Sequence, residues 1–508
     1  MTQTPRLPLA AAALLRTVAR IRPGACWLVG GALRDALIDR PSLDLDLALP
    51  QAKEAAAQLA KRWKATCVTL DDKAGTFRLI LPGKNATVRH LDFSELQGKT
   101  IEEDLGRRDF TANALALPLT PEMSATIHLK DLLDPRGGAE DISQHLLRCE
   151  NEEILKADPL RILRAFRLAA QLGWTIEPQT LKHLNRLRSR VRRPAAERIA
   201  VELIGLLCLP GAGRWVRLME ETGVLTVLFD DLEAARQCAL VYYGRGGVLT
   251  HTLDVVDRLD FLLDHLSPAF PRSAAPLRQA LGEHLRSGNP WRATLMLAAL
   301  LHDVSKPETA RRVGGRLRFF KHELRGAERA TAILKALRFP NETVRTVSTV
   351  IAQHLRPGNL AAGGPVTDKA TYRFFRDLGP EAEALLLVCW ADHASYMPQR
   401  QLERLLGWAS ADPDSEASAK ARPVEARKTL HHLQVINQLL RRRFEAQSLV
   451  APEKLLDGHA VMRILDLPPG PLVGQVLEKL REAQACSRVK TKTQAVEFVR
   501  GLKARLGA

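Results

Sequence analysis

The fold of the N-terminal part of the chain follows from two short stretches, Trp27-Leu28-Val29-Gly30-Gly31-Ala32-Leu33-Arg34-Asp35 and Leu43-Asp44-Leu45-Asp46-Leu47. An apolar run ends in two glycines, a helix-like segment follows, and an alternating strand then carries two carboxylates. Because alternate residues of a strand point to the same face, Asp44 and Asp46 are predicted to lie side by side while the leucines face a core. Such neighbouring carboxylates repel each other unless Mg²⁺ ions bind between their oxygens and the phosphates of a nucleotide.

The glycine pair supports this interpretation of the two carboxylates. Gly30 and Gly31 allow the backbone to approach phosphates closely, and Arg34 can add charge-assisted contacts. An ordinary edge strand with a polar face, preceded by a plain turn, is the alternative. The short distance between the glycines and the D-x-D pattern favours the phosphate site.

The combination of GGALRD at 30–35 and DLDLAL at 44–49 resembles the class II nucleotidyltransferases, the family of bacterial CCA-adding, CC-adding and A-adding enzymes and poly(A) polymerases. The resemblance implies an α+β fold: a nucleotidyltransferase head with a mixed sheet of about five strands, then an all-α neck and body, an all-α HD domain and a helical tail. It also implies in-line attack of an RNA 3′-hydroxyl on the α-phosphate of CTP, and of ATP in some members, with Mg²⁺ held by Asp44 and Asp46.

A third carboxylate is predicted on a neighbouring strand. An Ala-rich helix at 51–64 precedes strand patterns at 66–70, 76–81 and 87–93, the last of which contains Asp92. Asp92 can help to hold the metal that activates the attacking hydroxyl, and a turn-forming role is equally consistent with the sequence. Residues 94–100, which follow, form a short connection. In the family, a longer flexible loop here is implied to help the site switch from CTP to ATP, so the short one favours CC addition or another single specificity.

Two further blocks carry candidate nucleotide-binding residues. The segment 101–114, IEEDLGRRDFTANA, is very close to the family block LEEDLxRRDFTxNA. Asp109 and Asn113 are four residues apart, so we expect them to share a helical face and to address ribose hydroxyls. Arg107 and Arg108 are expected to reach a triphosphate.

The segment 157–167, ADPLRILRAFR, resembles the family's EDxxR motif, in which the Asp and the Arg select the base. Asp158 and Arg161 are predicted to face the same way on one helix, where a guanidinium and a carboxylate can pair with the edge of a cytosine. Arg164 continues the basic stripe. Ala157 stands where the family has Glu, which leaves the base-reading pair intact.

A second constellation lies further along the chain. Its residues follow the H…HD…D order of the HD phosphohydrolase superfamily, with two more histidines at positions that could hold a second metal: His251, His302, Asp303, His322, His354 and Asp392. Imidazole and carboxylate ligands suit Mn, Fe, Ni, Co or Zn and do not decide among them. Such a centre is expected to hydrolyse phosphoesters, for example a 2′,3′-cyclic or terminal phosphate at an RNA 3′ end.

The composition of the chain agrees with an RNA-binding enzyme. Its 508 residues include 74 Lys and Arg against 57 Asp and Glu, a formal charge of +17 that suits the phosphates of tRNA, and a solvated basic surface is the alternative. Seven cysteines without metal-ligand spacing indicate a reducing compartment. The apolar segment 7–15 is interpreted as the first helix of a cytoplasmic protein, and no run is long enough to span a membrane.

This length predicts several domains. We expect a nucleotidyltransferase head at 1–148, a helical neck and body at 149–240, an HD domain at 241–408, a linker at 409–430 and a helical tail at 431–508. The tail, with its basic run at 441–443, is a candidate for gripping tRNA by phosphate and shape contacts, or it is a capping subdomain.

Three other functions remain open from the sequence. A poly(A) polymerase or A-adding enzyme would use the same chemistry on another base or acceptor. A non-catalytic RNA-binding protein is disfavoured by the intact carboxylate pair, and an HD phosphohydrolase with a vestigial head is disfavoured by the intact RRDFTANA block. The sequence does not distinguish a monomer from a homodimer.

Overall fold

The computed structural model describes residues 5–40, 44–72, 74–82, 88–284, 290–410 and 426–503. By its internal contacts the chain divides into two compact units, Met1–Ala195 with Glu221–Val227 and Ala196–Glu220 with Leu228–Ala508. No helix among the described residues is both long and apolar enough to cross a lipid bilayer.

The first unit is built on a six-stranded sheet. Its strands are β1 (Trp27–Val29), β2 (Asp44–Leu49), β3 (Thr66–Asp71), β4 (Thr76–Ile80), β5 (His90–Glu95) and β6 (Ala116–Pro118). They lie in the order β3-β4-β5-β2-β1-β6, and only the pair β2–β5 is parallel. The prediction of a mixed sheet is confirmed; part of the predicted strand 87–93, residue 87, lies outside the described residues.

Helices also belong to the first unit. Up to Ala195 they are α1 (Leu9–Ile21), α2 (Gly31–Leu37), α3 (Ala52–Trp63), α4 (Ile101–Leu105), α5 (Gly138–Ser143), α6 (Glu152–Ala157), α7 (Arg161–Leu172) and α8 (Pro178–Leu187). Among them, α2, α3 and α4 pack on the sheet. A short parallel pair, β7 (Leu146–Leu147) and β8 (Thr175–Ile176), lies among them. Single 3₁₀ turns occur at Thr111–Asn113, Leu129–Asp131 and Arg188–Arg192.

The alternation of β2 and β5 separates a core face from a polar face. Fully buried residues occupy one face and pack with α1 and α3: Leu45, Leu47, Leu49, Leu91 and Phe93. Replacing one such Leu by Ala typically costs about 2–5 kcal/mol. On the other face, Ala48 packs against Ile101 and Leu105 of α4. Asp44 and Asp46 share that second face, so the packing of the leucines fixes the direction in which the carboxylates point.

The second unit is almost entirely helical. It includes α9 (Ala196–Leu207) and α10 (Ala212–Glu221) apart from Glu221, whereas α11 (Val224–Leu228) belongs to the first unit apart from Leu228. The following helices are α12 (Asp231–Ala235), α13 (Leu240–Tyr243), α14 (Gly247–Asp264), α15 (Leu266–Ala269), α16 (Ala274–His284), α17 (Trp291–Leu301), α18 (Lys306–Thr309), α19 (His322–Ala336), α20 (Asn341–Gln353), α21 (Leu355–Ala362), α22 (Asp368–Leu378), α23 (Ala382–Ser395) and α24 (Gln399–Ala409), with a 3₁₀ turn at Gly379–Glu381. A hairpin of β9 (Ala310–Val313) and β10 (Arg316–Phe319), which the periodicity did not predict, interrupts them.

The C-terminal helices are α25 (Arg427–Glu445), α26 (Gln447–Val450), α27 (Gly458–Leu465), α28 (Pro471–Ala485) and α29 (Lys492–Lys503). Helix α25 packs against α21, α23 and α24, while α27, α28 and α29 enclose a small core of their own. Of the predicted linker 409–430, residues 411–425 lie outside the described residues.

Candidate active site

Three carboxylates converge on the polar face of the sheet in the first unit. Asp44 and Asp46 are two residues apart on β2, and Asp92 of β5 is the direct partner of Asp46 across the parallel strand pair. Oδ1 of Asp44 lies 3.0 Å from Nδ1 of His90. The predicted grouping of Asp92 with the D-x-D pair is therefore present in the geometry.

Asp92 is held by an arginine that the sequence did not single out. Arg78 of β4 is the antiparallel partner of Asp92, and its Nε and Nη2 donate to the two carboxylate oxygens at 2.8 and 2.7 Å. The alternation of the predicted strand 76–81 was a partial signal, because it determines the face on which Arg78 lies but not which strand lies beside it. Asp92 thus lies beside the carboxylate pair of Asp44 and Asp46, and its own negative charge is neutralised by the guanidinium of Arg78.

The surroundings of Asp46 disfavour its ionised form in the absence of a metal cation. The pKa of Asp46 is raised to about 6, mainly by burial and also by the negative charges of Asp92 and Asp44, against the lowering effects of Arg108 and Arg164. A Mg²⁺ ion would reverse this effect, because a hard cation favours the ionised form and takes carboxylate oxygens as ligands. The donor set of Asp44 and Asp46 therefore fits Mg²⁺.

Gly30 makes the space beside Asp46. It precedes α2 with φ +76° and ψ −146°, a conformation that is essentially restricted to glycine. A Cβ atom at this position would lie 2.9 Å from Oδ2 of Asp46 and 3.3 Å from Nη1 of Arg108. Gly31 has no such φ restriction, and a Cβ there would meet the guanidinium of Arg34 at 3.3 Å.

A chain of hydrogen bonds continues from α2 into the RRDFTANA block. Nη1 of Arg34 donates to Oδ1 of Asn113 at 2.7 Å, and Nδ2 of Asn113 donates to Oδ1 of Asp109 at 2.9 Å. Nε of Arg164 lies 3.1 Å from Oδ2 of Asp109. Burial alone would raise the pKa of Asp109, but Arg164 and the bond from Asn113 hold it below its ordinary value. Asp109 is therefore an ionised acceptor that fixes two neighbouring side chains.

The prediction that Asp109 and Asn113 share one helical face is wrong. Helix α4 ends at Leu105, and Asn113 lies in a separate 3₁₀ turn. The two side chains meet by a direct hydrogen bond rather than by helical spacing.

The two arginines of the block have different surroundings. Arg108 is held by Asp104, whose Oδ2 accepts from Nε and Nη2 at 3.2 and 3.0 Å, while its Oδ1 accepts from the backbone N–H of Gln97. Asp104 is buried, so it fixes the direction of Arg108 toward Gly30. Arg107 is exposed and does not line the site.

The prediction that Asp158 and Arg161 lie on one helix is also wrong. Helix α6 ends before Asp158, which adopts an extended conformation, and α7 begins at Arg161. The residue after Asp158 is Pro159, and the residue before a proline is disfavoured in the helical conformation. Oδ1 of Asp158 accepts from the backbone N–H of Leu160 at 3.1 Å, and Nη1 of Arg161 donates to the carbonyl of Ile154 at 3.0 Å.

All residues predicted for the nucleotidyltransferase site except Arg107 line one cavity of about 530 Å³ in the first unit. The predicted residues that it brings together are Gly30, Gly31, Arg34, Asp44, Asp46, Asp92, Arg108, Asp109, Asn113, Asp158, Arg161 and Arg164. Four further residues that the sequence motifs did not mark as site residues also line it: Arg78, Arg167, Asp35 and Gln171. With six arginines and six aspartates, the cavity can hold a polyphosphate together with cations.

The second constellation assembles at helix ends in the second unit. His251 lies in α14, His302 and Asp303 follow α17, His322 begins α19, His354 follows α20 and Asp392 lies in α23. Their ligand atoms form two groups that share one carboxylate: His251, His302 and Asp303 in one, and Asp303, His322 and His354 in the other. Nε2 of His251 lies 3.2 Å from Oδ1 of Asp392, which extends the first group. All six predicted residues are therefore brought together.

The histidines are oriented as metal ligands usually are. Nδ1 of His302, His322 and His354 donates to the carbonyl oxygens of Ala299, Phe319 and Ile351 at 2.7–2.8 Å, which leaves each Nε2 directed inward. Burial lowers the pKa of His354 to about 4, so this imidazole is neutral at pH 7.

Several ligand atoms of this cluster contact one another without forming hydrogen bonds. Nε2 of His251, Nε2 of His302 and Oδ1 of Asp303 are buried and form no hydrogen bond among the described residues, although Nε2 of His302 lies 3.0 Å from Oδ2 of Asp303. Nζ of Lys306 lies 2.6 Å from Oδ2 of Asp303, so one side of the shared carboxylate is neutralised by an ammonium group. Buried polar atoms of this kind normally have partners, and divalent cations would satisfy them. The donor set fits a pair of metal ions.

Two of the three arginines in the basic run 441–443 of the predicted tail are held by neighbouring groups. Nε of Arg443 lies 2.6 Å from Oε1 of the fully buried Glu383. Nη1 of Arg442 donates to the carbonyl of Val366 and to Oγ1 of Thr371 at 2.8 and 2.7 Å. These two arginines of α25 are held inside the second unit.

A mixed sheet with paired strand carboxylates beside a Gly-Gly turn is the arrangement of a nucleotidyltransferase head. The chain matches the family models described as "Poly A polymerase head domain" at residues 26–148, "Probable RNA and SrmB- binding site of polymerase A" at 173–236 and "HD domain" at 248–397.

Relatives extend this match over nearly the whole chain. A CC-adding tRNA nucleotidyltransferase from Thermus thermophilus is 34% identical and covers 94% of this chain and 93% of its own. An A-adding tRNA nucleotidyltransferase from Deinococcus radiodurans is 32% identical, with coverage of 94% and 95%. The solved complex of a CCA-adding enzyme with CTP has a TM-score of 0.64 at 18% identity and covers 98% of this chain and 95% of that one. The chain belongs to the family of tRNA nucleotidyltransferases and poly(A) polymerases.

Proposed function

We propose that this enzyme adds cytidines to the 3′ end of tRNA from CTP and releases pyrophosphate. The observation that carries the proposal is the convergence of Asp44, Asp46 and Asp92 beside Gly30 in a cavity lined by arginines. The CC-adding and A-adding relatives, which align over nearly the whole chain, support the reaction class. Action on tRNA also favours a cytoplasmic location.

In the proposed in-line displacement, the residues of the cavity have different roles. Mg²⁺ bound at Asp44 and Asp46 would neutralise phosphate charge and favour ionisation of the attacking 3′-hydroxyl. Gly30 leaves room for the phosphates, and Arg108 faces the same space. Asp109, which Arg164 and Asn113 fix, is our candidate acceptor for a ribose hydroxyl. Asp158 and Arg161 are the candidate pair for the base edge, since both line the cavity.

The connection between β5 and α4 supports a single base specificity. It is short, and its backbone is tied down: the N–H of Gln97 donates to Asp104 and that of Lys99 to Glu103, at 3.0 and 2.8 Å. Nε2 of Gln97 also donates to the carbonyl of Ala74 at 3.1 Å. A segment held in this way has little freedom to reshape the pocket for adenine, so we propose addition of C and C followed by a stall.

The test is extension of tRNA lacking its CCA end, resolved on a gel, with CTP alone, ATP alone and both. We expect two added residues with CTP and none with ATP. Efficient addition of A to tRNA ending in CC would overturn the CC-only specificity, and repeated A addition would favour a poly(A) polymerase. Asp44→Ala with Asp46→Ala should abolish incorporation, whereas removing the exposed Glu54 and Asp72 in a matched double variant should not.

A second activity is supported by the two-group centre of the second unit. We propose that metal ions held by His251, His302, Asp303, His322, His354 and Asp392 serve hydrolysis of 2′,3′-cyclic or terminal phosphates that block RNA 3′ ends. Divalent Ni, Mn, Co, Fe or Zn would supply an activated water there. Hydrolysis of 2′,3′-cyclic AMP by the wild type, and its loss in His302→Ala with Asp303→Ala, tests the assignment.

A further inference from the structure

The β9–β10 hairpin stands directly beside the histidine centre. Its two strands are joined by Gly314 and Gly315, which have φ of +56° and +74° and form the tight two-residue turn that matches strand twist. Phe319 is the last residue of β10, and the candidate ligand His322 follows it closely in the chain. The hairpin is therefore joined to the rim of this centre.

One face of the hairpin is anchored to the centre. The ring of Phe319 lies 5.4 Å from Nζ of Lys306 and 6.4 Å from the ring of His322. The hydroxyl of Tyr242 in α13 donates to the carbonyl of Leu317 at 3.0 Å. These contacts fix the hairpin, so the direction of its opposite face is defined.

The opposite face carries three exposed guanidinium groups. Strand alternation puts Arg311, Arg316 and Arg318 on it, and Arg311 lies directly opposite Arg318. Like charges in directly opposed positions destabilise a strand pair. Across the described ranges none of the three forms a salt bridge with a carboxylate. A surface that retains unneutralised repulsion of this kind is suited to an anion from outside the unit.

A cleft of about 790 Å³ adjoins this face, between the hairpin and α19. Two of its arginines are neutralised, because Arg325 pairs with Glu328 and Arg329 pairs with Asp231. Arg311 and Lys321 also line it, together with one further acid, Glu308. Like Arg311, Lys321 forms no salt bridge within the part of the chain that the structure describes.

An exposed aromatic ring completes the cleft. Phe320 lines it with 59% of its surface exposed, and Val313 on the basic face of the hairpin is 54% exposed. Guanidinium groups that follow a backbone, combined with an exposed ring on which a base can stack, are the features by which proteins bind single-stranded nucleic acids. A duplex would satisfy the charges but would leave the ring without a partner.

We propose that the basic face of the hairpin and the adjoining cleft bind single-stranded RNA, with Arg311, Arg316, Arg318 and Lys321 on phosphates and Phe320 stacked on a base. This binding site is additional to the nucleotidyltransferase cavity. Presentation of a bound RNA end to the histidine centre is a consequence that rests on the proposed hydrolysis, whereas binding itself does not.

Photocrosslinking of the full chain to a short single-stranded RNA containing 4-thiouridine tests the site. The variant Arg311→Gln, Arg316→Gln, Arg318→Gln removes the basic face. A matched control removes three exposed cations from helices of the same unit, Lys335→Gln, Arg400→Gln and Arg404→Gln. We expect a crosslinked peptide from 309–325 in the wild type and the control, and its loss in the hairpin variant. A wild type with crosslinks only elsewhere, or an unchanged hairpin variant, would overturn the proposal.

Salt dependence and the aromatic ring give a second readout. In fluorescence anisotropy with the same RNA, the hairpin variant should reduce the slope of log affinity against log salt by about 2, since each phosphate contact to a single strand contributes about 0.7. Phe320→Leu should weaken binding about tenfold and leave the slope unchanged. Equal binding of duplex RNA with no effect of Phe320→Leu, or displacement by a polyglutamate peptide but not by RNA, would identify another ligand.

The separate hydrolysis of 2′,3′-cyclic AMP distinguishes failure of this inference from failure of the proposed activity. If the wild type hydrolyses this small substrate but forms no crosslink at 309–325, the proposed phosphohydrolase activity stands and the proposed RNA site is refuted. If the wild type forms the crosslink but hydrolyses no 2′,3′-cyclic or terminal phosphate, the proposed RNA site stands and the proposed phosphohydrolase activity is refuted.

Discussion

Gly30 and Asp46 approach each other so closely that a Cβ atom on Gly30 would lie 2.9 Å from Oδ2 of Asp46. A side chain at position 30 would therefore displace the carboxylate of Asp46, so glycine is needed here for the site as well as for the turn. Gly30→Ala should lower CTP incorporation about 100-fold or more, because small misplacements of reacting groups have effects of that size. Gly173→Ala is the matched control, since Gly173 has φ +71° but open space around it. Similar activity in both variants would contradict the steric argument.

The Arg78–Asp92 pair allows the role of Asp92 to be measured. If Asp92 helps to hold metal, Asp92→Asn should reduce incorporation more than Arg78→Gln does, by about tenfold or more, and the double variant should be no more active than Asp92→Asn. If Asp92 serves only to position Arg78, the two single variants and the double variant should be equally impaired. Steady-state incorporation of CTP into tRNA under identical Mg²⁺ concentrations decides between them.

Asp303 is common to both groups of metal-ligand candidates. Asp303→Ala should therefore remove bound transition metal from both groups, whereas His354→Ala should affect only the group to which His354 belongs. Metal content per chain, measured by mass spectrometry on purified protein, checks this. His459, exposed on α27, supplies a control variant. Full metal content in Asp303→Ala would refute the shared-ligand arrangement.

Asp158 has both a structural and a candidate recognition role, and a single substitution separates them. Asp158→Asn keeps an oxygen that can accept from the N–H of Leu160 but replaces the carboxylate that would accept from a cytosine amino group. We expect near-normal thermal stability together with a loss of discrimination between CTP and ATP of about tenfold to a hundredfold, as for one missing hydrogen-bond partner. The ratio of kcat/KM for the two nucleotides is the measurement. An unchanged ratio would remove Asp158 from base selection.

Arg443 should matter for stability rather than for RNA. Arg443→Gln leaves the fully buried Glu383 without its ion-pair partner, which typically costs about 3–5 kcal/mol. Arg427→Gln, an exposed change on the same helix, is expected to cost under about 0.5 kcal/mol. Thermal or urea unfolding measures the difference. A large loss of tRNA affinity at unchanged stability would instead favour the RNA-gripping role predicted for the tail.

Much of the carboxylate site could be predicted because strand alternation is a local property. Because the leucines of β2 must face the core, Asp44 and Asp46, which alternate with them, must face the other side of the sheet. The same alternation on β5 puts Asp92 on the side opposite to the buried Leu91 and Phe93. Arg78 escaped prediction because its meeting with Asp92 depends on which strands are neighbours, and the order β4-β5-β2 is a tertiary property.

The errors in the helical motifs have local causes. Asp158 lies outside the helix because Pro159 follows it, and that signal is present in the sequence. Asn113 meets Asp109 through a 3₁₀ turn, for which the sequence carries no distinct period. Arg442 and Arg443 looked like a surface patch because charge alone does not reveal a buried partner such as Glu383.

The parallel register of β2 and β5 couples folding to chemistry. A slip of β5 by one residue along β2 would bring Phe93 or Leu91 opposite Asp46 in place of Asp92, and it would turn both apolar side chains out of the core. The misaligned chain would lose its hydrophobic packing at the same moment as its third carboxylate. A chain with the wrong register of β5 would therefore be unstable as well as inactive, because Leu91 and Phe93 would leave the core. The packing of these two side chains thus selects the register that the active site requires.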